Sequence, residues 1–456
     1  MDIAVILLAA GQGTRMKSEQ PKVLHKVCGK PMVGYIADAA AVLKPKKFIA
    51  VVSPASASAV AAALPTPSET VVQQLALGTG DAVRCALPQL KGFVGTIVIL
   101  CGDTPLVTGL TLKQLVNKHF ERQAAATVLT AKVDDARGYG RIIRGDGGVK
   151  RIVEDREATE TELHIREINT GTYCFDAAKL EAALEQIKPE NSQKEYYLTD
   201  VIGIFFGDNE KVVPFQVEDS LETMGINSLV QLADAEMIMQ ERINHAHMMN
   251  GVTMIHPALT YIDAGAKIGS DTIIHPNTFI NGATVIGKNC LVGPSTRVVE
   301  SNVGDGCEIT FSVVREAKLA DGVTVGPFAN VRPGTEVGRN GKIGSFVETK
   351  QAVIGKDSKI PHLAYIGDAQ IGAGVNIGAG TITCNFDGRE KHRTVIGDGA
   401  FVGSDTILVA PVKVGKRAYT GAGSTITKDV PDDSLGIERA DQRVVKNWRQ
   451  GRRTGA

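Results

Sequence analysis

Between residues 262 and 414 aliphatic side chains recur at every sixth position, as at Ile268, Ile274, Ile280, Ile286, Val292 and Val298, often followed by Gly or another small residue. A period of six matches neither the turn of an amphipathic helix, about 3.6 residues, nor the alternation of a lone strand. It matches a short strand plus a turn, repeated, with three repeats closing one coil. The pattern therefore predicts a left-handed parallel β-helix, its aliphatic residues stacked inside a narrow prism and the small residues letting the backbone round each corner. Upstream the pattern changes. Short apolar, β-rich runs at residues 4–8, 47–52, 96–100 and 126–131 alternate with helix-like stretches, which predicts a mostly parallel sheet with helices on both faces. Ligands of such sheets gather beyond the carboxyl ends of the strands. Between the two patterns a helix is expected, with Leu232, Met239, Ile243 and Ala246 on one face. The expected organisation is an α/β domain over 1–226, a linker helix over 227–250, and a β-helix with a basic tail over 251–456. Two interruptions of the beat stand out: a short slip after Val337, and an excursion over residues 383–394 expected to project as a loop.

Charge and cysteine content narrow the function classes. Lys plus Arg and Asp plus Glu number 50 each, so no net field draws the chain to nucleic acid or to an anionic membrane, and neither is expected as a partner. Any anion binding has to be local. The seven cysteines are an odd, scattered set without C-x-x-C spacing, which argues against a disulfide framework or a zinc site and for a reducing compartment. Residues 3–10 are apolar but too few to span a bilayer, and Asp2 stands where a signal peptide carries positive charge. A cytoplasmic location is expected.

The first candidate site follows the first apolar run, in LLAAGQGTRMKSEQPKVL, where Gly11 and Gly13 precede Arg15 and Lys22. Bare glycine turns let backbone N–H groups converge on phosphate oxygens, and the two cations neutralise the charge. Met16 in place of a third glycine excludes the dinucleotide fingerprint, and no Lys-Ser/Thr follows Gly13, which excludes a P-loop. The string resembles the signature of sugar-1-phosphate nucleotidyltransferases, whose catalytic domain is Rossmann-like. That resemblance implies a nucleotide site at Leu8, Ala9, Ala10, Gly11, Gly13, Lys22, Gln73, Gly78, Thr79 and Asp103, with Arg15 and Lys22 acting in catalysis. It implies Mg2+ at Asp103 and Asn227. It also implies a sugar phosphate site at Gly140, Glu154, Asn169, Tyr197, Thr199 and Asn227.

The second candidate site lies on the coil, where Arg332, Glu348, Lys350, His362, Tyr365, Asn376, Asn385 and Phe386 decorate neighbouring repeats. A lone histidine on such a face is an ordinary surface residue; one surrounded by cations, amides and a projecting loop points to a site. These strings resemble the acetyltransferase half of the bifunctional N-acetylglucosamine-1-phosphate uridyltransferase and glucosamine-1-phosphate N-acetyltransferase family, and the likeness covers essentially the whole chain. The resemblance implies acetyl-CoA and UTP as co-substrates and His362 as general base toward the sugar amine, an imidazole role. It implies that Glu348 orients that ring, and that Arg332, Lys350, Tyr365 and Asn376 hold the sugar phosphate. It assigns acetyl-CoA contacts to Ala379, Asn385, Phe386, Ser404, Ala422 and Arg439, and implies a homotrimer packed through the β-helices. Phe386 and Cys101 stand where the family also carries Tyr, which removes a hydroxyl but no acid, base or metal ligand. Two other readings are a single-activity pyrophosphorylase whose β-helix serves only assembly or regulation, and a non-catalytic regulatory subunit. Retention of Arg15, Lys22 and Asp103 argues against the second, and the clustering of His362, Tyr365 and Asn385 against the first.

Overall fold

The structure is a computed structural model describing residues 2–11, 13–65, 67–145 and 147–449. The last seven residues of the basic tail lie outside the described residues. The chain divides into two compact units, Met1–Met239 and Gln240–Ala456.

The first unit is built on β1 (Ile3–Ala9), β2 (Lys47–Val52), β3 (Glu69–Val72), β4 (Thr96–Cys101), β5 (Ala126–Lys132), β6 (Arg141–Gly145), β7 (Gly148–Val153), β8 (Glu167–Asp176) and β9 (Val212–Gln216). Its main order is β9-β5-β8-β4-β1-β2-β3, with β6 and β7 forming a hairpin beside β8. All neighbours along that order are parallel except β8, which runs antiparallel to β4 and β5. The apolar runs are continuous because both faces are covered. Ile6, Ile49 and Ile99 are buried on one face and Val5, Ala50 and Val98 on the other.

In the second unit three parallel ladders stack coil upon coil. Ile274 pairs with Val292 eighteen residues on, and Val303 with Leu319 sixteen residues on. The inward column runs through Ile280, Ile286, Val292, Val298 and on to Leu408 and Val414, each less than a twentieth exposed. The expected slip after Val337 is corrected by the structure: Val337, Ile343 and Thr349 stay six apart and fully inside. Gly-Arg-Asn-Gly only looks irregular, since Asn340 rounds an ordinary corner at φ 56°. The true shortenings are five-residue steps, at Val298 to Val303 and Ile366 to Ile371 among others.

The helix Leu229–Met249 departs from the expected stripe. Ala235 and Met239 are buried and Ile243 packs on the coil's core, but Ala246 is exposed and the polar Asn244 is buried instead. Its amide donates to the carbonyls of Pro257 and Thr260 at 2.8 and 2.9 Å. The first coil has no coil before it to satisfy those carbonyls, so a side-chain donor does so.

His119 is a buried neutral imidazole whose Nδ1 lies 3.0 Å from the Thr127 hydroxyl. Burial pushes its pKa down to about 4, with Asp176 opposing weakly. Below its ordinary value of about 6.5 the unfolded chain takes up a proton that the folded chain refuses, so stability falls as pH drops towards 4. Melting curves of the first unit's transition between pH 7 and 4 should show this loss, and His119→Gln should flatten it.

Candidate active sites

In the first unit β1 ends at Ala9, and the chain turns through Gly11 and Gly13 at the carboxyl edge of the sheet. Gly13 has φ 63°, and a Cβ there would sit 2.6 Å from Lys22 Cβ, so the turn requires glycine for Lys22 to close over it. Leu8, Ala10, Gly11, Gly13, Lys22, Gln73, Gly78, Thr79 and Asp103 line one cavity of about 440 Å³. Ala9 does not line it: strand alternation turns its methyl into the core on the opposite face. Gln73 Nε2 donates to Gly78 O and to Asp81 at 3.1 and 2.8 Å, fixing the loop before the helix Thr79–Ala86.

Asp103 follows β4. Gly102 brings it there by donating to Leu8 O at 2.8 Å, where a Cβ would meet that same oxygen at 2.9 Å. The Lys22 ammonium is gripped by Asp103 Oδ2 and donates to Asn227 Oδ1 at 2.6 Å. Arg15 donates to the same Asn227 oxygen at 2.8 Å. A carboxylate oxygen and an amide oxygen thus already converge on a cation, the donor chemistry that a hard divalent ion takes. Among the described residues no cluster of three or more His, Cys, Asp or Glu forms a metal cage. Cys101, beside this site, has its thiol pushed up to about 12 by burial and by Asp103, and is inert at neutral pH.

Glu154, Tyr197 and Thr199 line a second cavity, of about 500 Å³. Thr199 donates to Glu154 at 3.1 Å, and burial raises the Glu154 pKa. A Cβ on Gly140 would lie 3.5 Å from Asn169 Cβ and 3.6 Å from Glu154 Oε2, so these three residues meet. Asn169 sits where β8 shifts register against β5, its amide donating to Tyr173 at 2.7 Å. The segment 195–199 serves both cavities: Leu198 N donates to Thr79 Oγ1 at 3.0 Å while Tyr197 and Thr199 face the second.

On the coil, backbone register decides which residues meet. Gly380 N donates to Leu363 O, Asp405 N to Ala379 O and Gly423 N to Ser404 O. His362, Ala379, Ser404 and Ala422 therefore line one edge of the prism, and Arg439 closes its end by donating to Ala422 O at 2.9 Å. The face beyond that edge carries Glu348 in register with Tyr365, and its far edge carries Arg332, Lys350 and Asn385. Glu348 accepts from Arg332 at 2.6 Å and from Asn330 at 3.3 Å. It makes no hydrogen bond to His362, whose exposed ring has no partner among the described residues. Asn376 lies on the neighbouring face, across the His362 edge.

The excursion is a tight hairpin. Phe386 bridges Lys391, and the Asp387 carboxylate accepts from the N–H groups of Arg389 and Glu390 and from His392 Nε2 at 2.7 Å. Those contacts hold the Asp387 carboxyl far below the usual carboxylate range, the Glu390 N–H foremost. Asn385 does not project as expected. It is buried at the hairpin's base and donates to Asp368 at 2.5 Å, because the loop departs from a coil that is still hydrogen-bonded. The hairpin delivers Lys391 against Lys350, whose pKa is lowered first by Lys391 and then by Arg332. Lys350, Lys391 and Arg332 thus form a cluster of cations. Sequence reasoning missed Lys391; the charge run REKHR inside a solenoid insertion was its only signal.

The Nucleotidyl transferase family matches residues 4–236, and the Bacterial transferase hexapeptide (six repeats) family matches residues 265–300 and 393–428. The bifunctional protein GlmU of Heliobacterium modesticaldum is 51% identical over 444 residues, covering 97% of both chains. That of Brevibacillus brevis is 51% identical over 441 residues, covering 96% of this chain and 95% of the relative. That of Shouchella clausii is 50% identical over 444 residues, covering 97% and 98%. The chain belongs to the bifunctional GlmU family. It is a bifunctional transferase with uridyltransferase and acetyltransferase activities.

One glycine of the acetyltransferase half packs against the side-chain tips of two assigned site residues. A Cβ on Gly367 would sit 2.6 Å from the Tyr365 hydroxyl and 2.7 Å from Asn385 Nδ2. Gly367→Ala should displace both and slow acetyl transfer by about a hundredfold, with uridyl transfer unchanged, as parallel assays of the two reactions would read.

Proposed function

We propose that the domain over 1–226 transfers uridylyl from UTP to N-acetylglucosamine 1-phosphate, and that the β-helix over 251–456 first makes that sugar phosphate by acetylating glucosamine 1-phosphate from acetyl-CoA. The helix over 227–250 links them. The observation that carries this reading is that each unit holds its own cluster of cationic side chains, one beside a glycine turn and the other on the coil.

In the first, a sugar phosphate oxygen attacks the α-phosphorus of UTP, the new P–O bond forming as the bond to pyrophosphate breaks. Little covalent chemistry is asked of the protein, so it acts by positioning and charge. Gly11 and Gly13 leave room for phosphate against the backbone, Arg15 and Lys22 neutralise it, and Gln73, Gly78 and Thr79 bound the cavity on the base side. Gly140, Glu154, Asn169, Tyr197 and Thr199 hold the sugar. Asp103 and Asn227 would hold Mg2+, which supplies charge neutralisation on the triphosphate.

In the second, the sugar amine attacks the thioester carbonyl. His362 takes the amine proton, the N–C bond forms, and the C–S bond breaks to release the CoA thiol. Arg332, Lys350 and Lys391 bind the phosphate, with Glu348 holding Arg332 in place. Tyr365 and Asn376 contact the sugar. Ala379, Asn385, Phe386, Ser404, Ala422 and Arg439 receive acetyl-CoA, with a backbone N–H near Ala379 offered to the oxyanion.

The residues assigned to one small sugar phosphate occupy two faces of a prism, which supports a site completed by a neighbouring copy. Hexapeptide repeats suit such assembly, and an exposed apolar stripe offers the surface. Phe311, Phe328, Phe346 and Leu363 climb the His362 edge, the rings 5.8 and 5.5 Å apart. A homotrimer is the assembly we infer. No helix among the described residues is long and apolar enough to cross a membrane, which accords with a cytoplasmic enzyme feeding cell-envelope synthesis.

His362→Ala should slow acetyl transfer by about 10²–10⁴-fold and leave UTP-dependent pyrophosphate release intact; Asp103→Ala should do the reverse. Loss of both activities in either folded variant would end the two-site reading. Phe346→Glu should lower the sedimenting mass to that of a monomer and abolish acetylation alone; a monomer that still acetylates would refute the shared site.

A further inference from the structure

Among the described residues Arg141 is the largest side chain that is fully buried, and it opens the first strand of the sugar-side hairpin of the first unit. A buried charge is retained only where it is paired and hydrogen-bonded. Its Nη2 donates to Asp155 Oδ1 at 2.8 Å and its Nη1 donates to the Tyr139 carbonyl. Nε is buried without a partner among the described residues, so the cation is held for its fork rather than for full satisfaction.

The neighbours in sequence give this ion pair a place in the reaction. Arg141 immediately follows Gly140, and Asp155 immediately follows Glu154. Gly140 leads directly into β6 and Glu154 directly out of β7, so the ion pair ties together the two chain segments that carry these assigned sugar contacts. The pair therefore clamps the start of β6 to the end of β7, already paired at Arg141 and Val153.

The contact chain continues. Tyr139, whose carbonyl takes the Arg141 fork, uses its hydroxyl to accept from Gly225 N at 3.3 Å. Gly225 O in turn accepts from Asn227 Nδ2 at 3.3 Å. Asn227 Oδ1 holds Arg15 and Lys22. A path of hydrogen bonds thus runs from Asp155, next to Glu154, through Arg141, Tyr139 and Gly225 to Asn227 and the two cations that it holds.

We propose that Arg141 is a positioning residue for uridyl transfer, setting the sugar-side hairpin and the Asn227 segment in one frame. The proposal rests on the assignment of Gly140 and Glu154 to the sugar phosphate. A planar fork can grip the Asp155 carboxylate and the Tyr139 carbonyl at once, whereas an ammonium reaches one of them. Charge alone does not substitute.

The test uses the full-length enzyme with both reactions assayed, acetyl transfer and the melting curve reporting that each variant is folded. Asp155→Asn and Arg141→Lys should raise KM for N-acetylglucosamine 1-phosphate by about tenfold, with KM for UTP within about twofold and acetyl transfer unchanged. Tyr139→Phe removes one hydroxyl and nothing else. It should raise the Mg2+ concentration needed for half-maximal uridyl transfer several-fold without moving the sugar KM. Glu154→Gln is the control for the underlying assignment. If Glu154→Gln raises the sugar KM while folded Asp155→Asn and Arg141→Lys do not, the positioning role is overturned and the sugar site stands. If Glu154→Gln also leaves that KM unmoved, the sugar-site assignment falls and takes the proposal with it.

Discussion

Backbone hydrogen bonding between successive coils, held in register over the whole solenoid, is the constraint on which the acetyl-transfer half depends. Each coil takes its partners from the coils on either side of it, as in Gly380 to Leu363 and Glu348 to Ala364, so a residue's height and edge follow from its place in the repeat. The aliphatic column inside fixes that register, since a slip by one residue would turn Ile360 or Ile366 outward and a polar neighbour inward. Residues dozens of positions apart, such as His362 and Ala422, then share one edge without any contact between their side chains.

The uridyl-transfer half solves the same problem differently. Its sheet is buried on both faces, so little on the strands themselves is available for chemistry, the end of β1 at Leu8 and the register break of β8 at Asn169 excepted. Function is displaced to the carboxyl edge, where backbone turns replace side-chain packing: Gly13 in a left-handed turn against Lys22, and Gly102 pressed against Leu8 O. The cations there are not free. Lys22 and Arg15 share the Asn227 oxygen, and Asp103 completes the set, so the charges proposed to meet phosphate are already held in place by the protein's own polar groups.

Much of this was readable from the chain, and the failures have physical causes. Period six identified the prism because an inward position must stay aliphatic or small whatever its neighbours do. Asn244 was missed since a buried amide is favourable only where a specific carbonyl is orphaned, and the first coil's open end is not visible in a helical wheel. Lys391 was missed for a related reason: its charge acquires meaning only beside Lys350, forty-one residues earlier, and a hairpin held by Asp387 brings them together. Ala246 and the supposed slip after Val337 misled because local pattern was read where tertiary packing decides burial.

The sequence by itself determined the two architectures, the glycine turn that follows the first strand, and the kinds of side chain available at each site, because periodicity and local turn chemistry are properties of neighbouring residues. Only the tertiary structure decided which of those side chains meet. It paired Glu348 with Arg332 rather than His362, buried Asn385 at the base of its hairpin, turned Ala9 into the core, and tied the buried Arg141 to Asp155. Such pairings depend on the register between segments far apart in the chain, and register is fixed by the whole buried core, not by any one stretch of it.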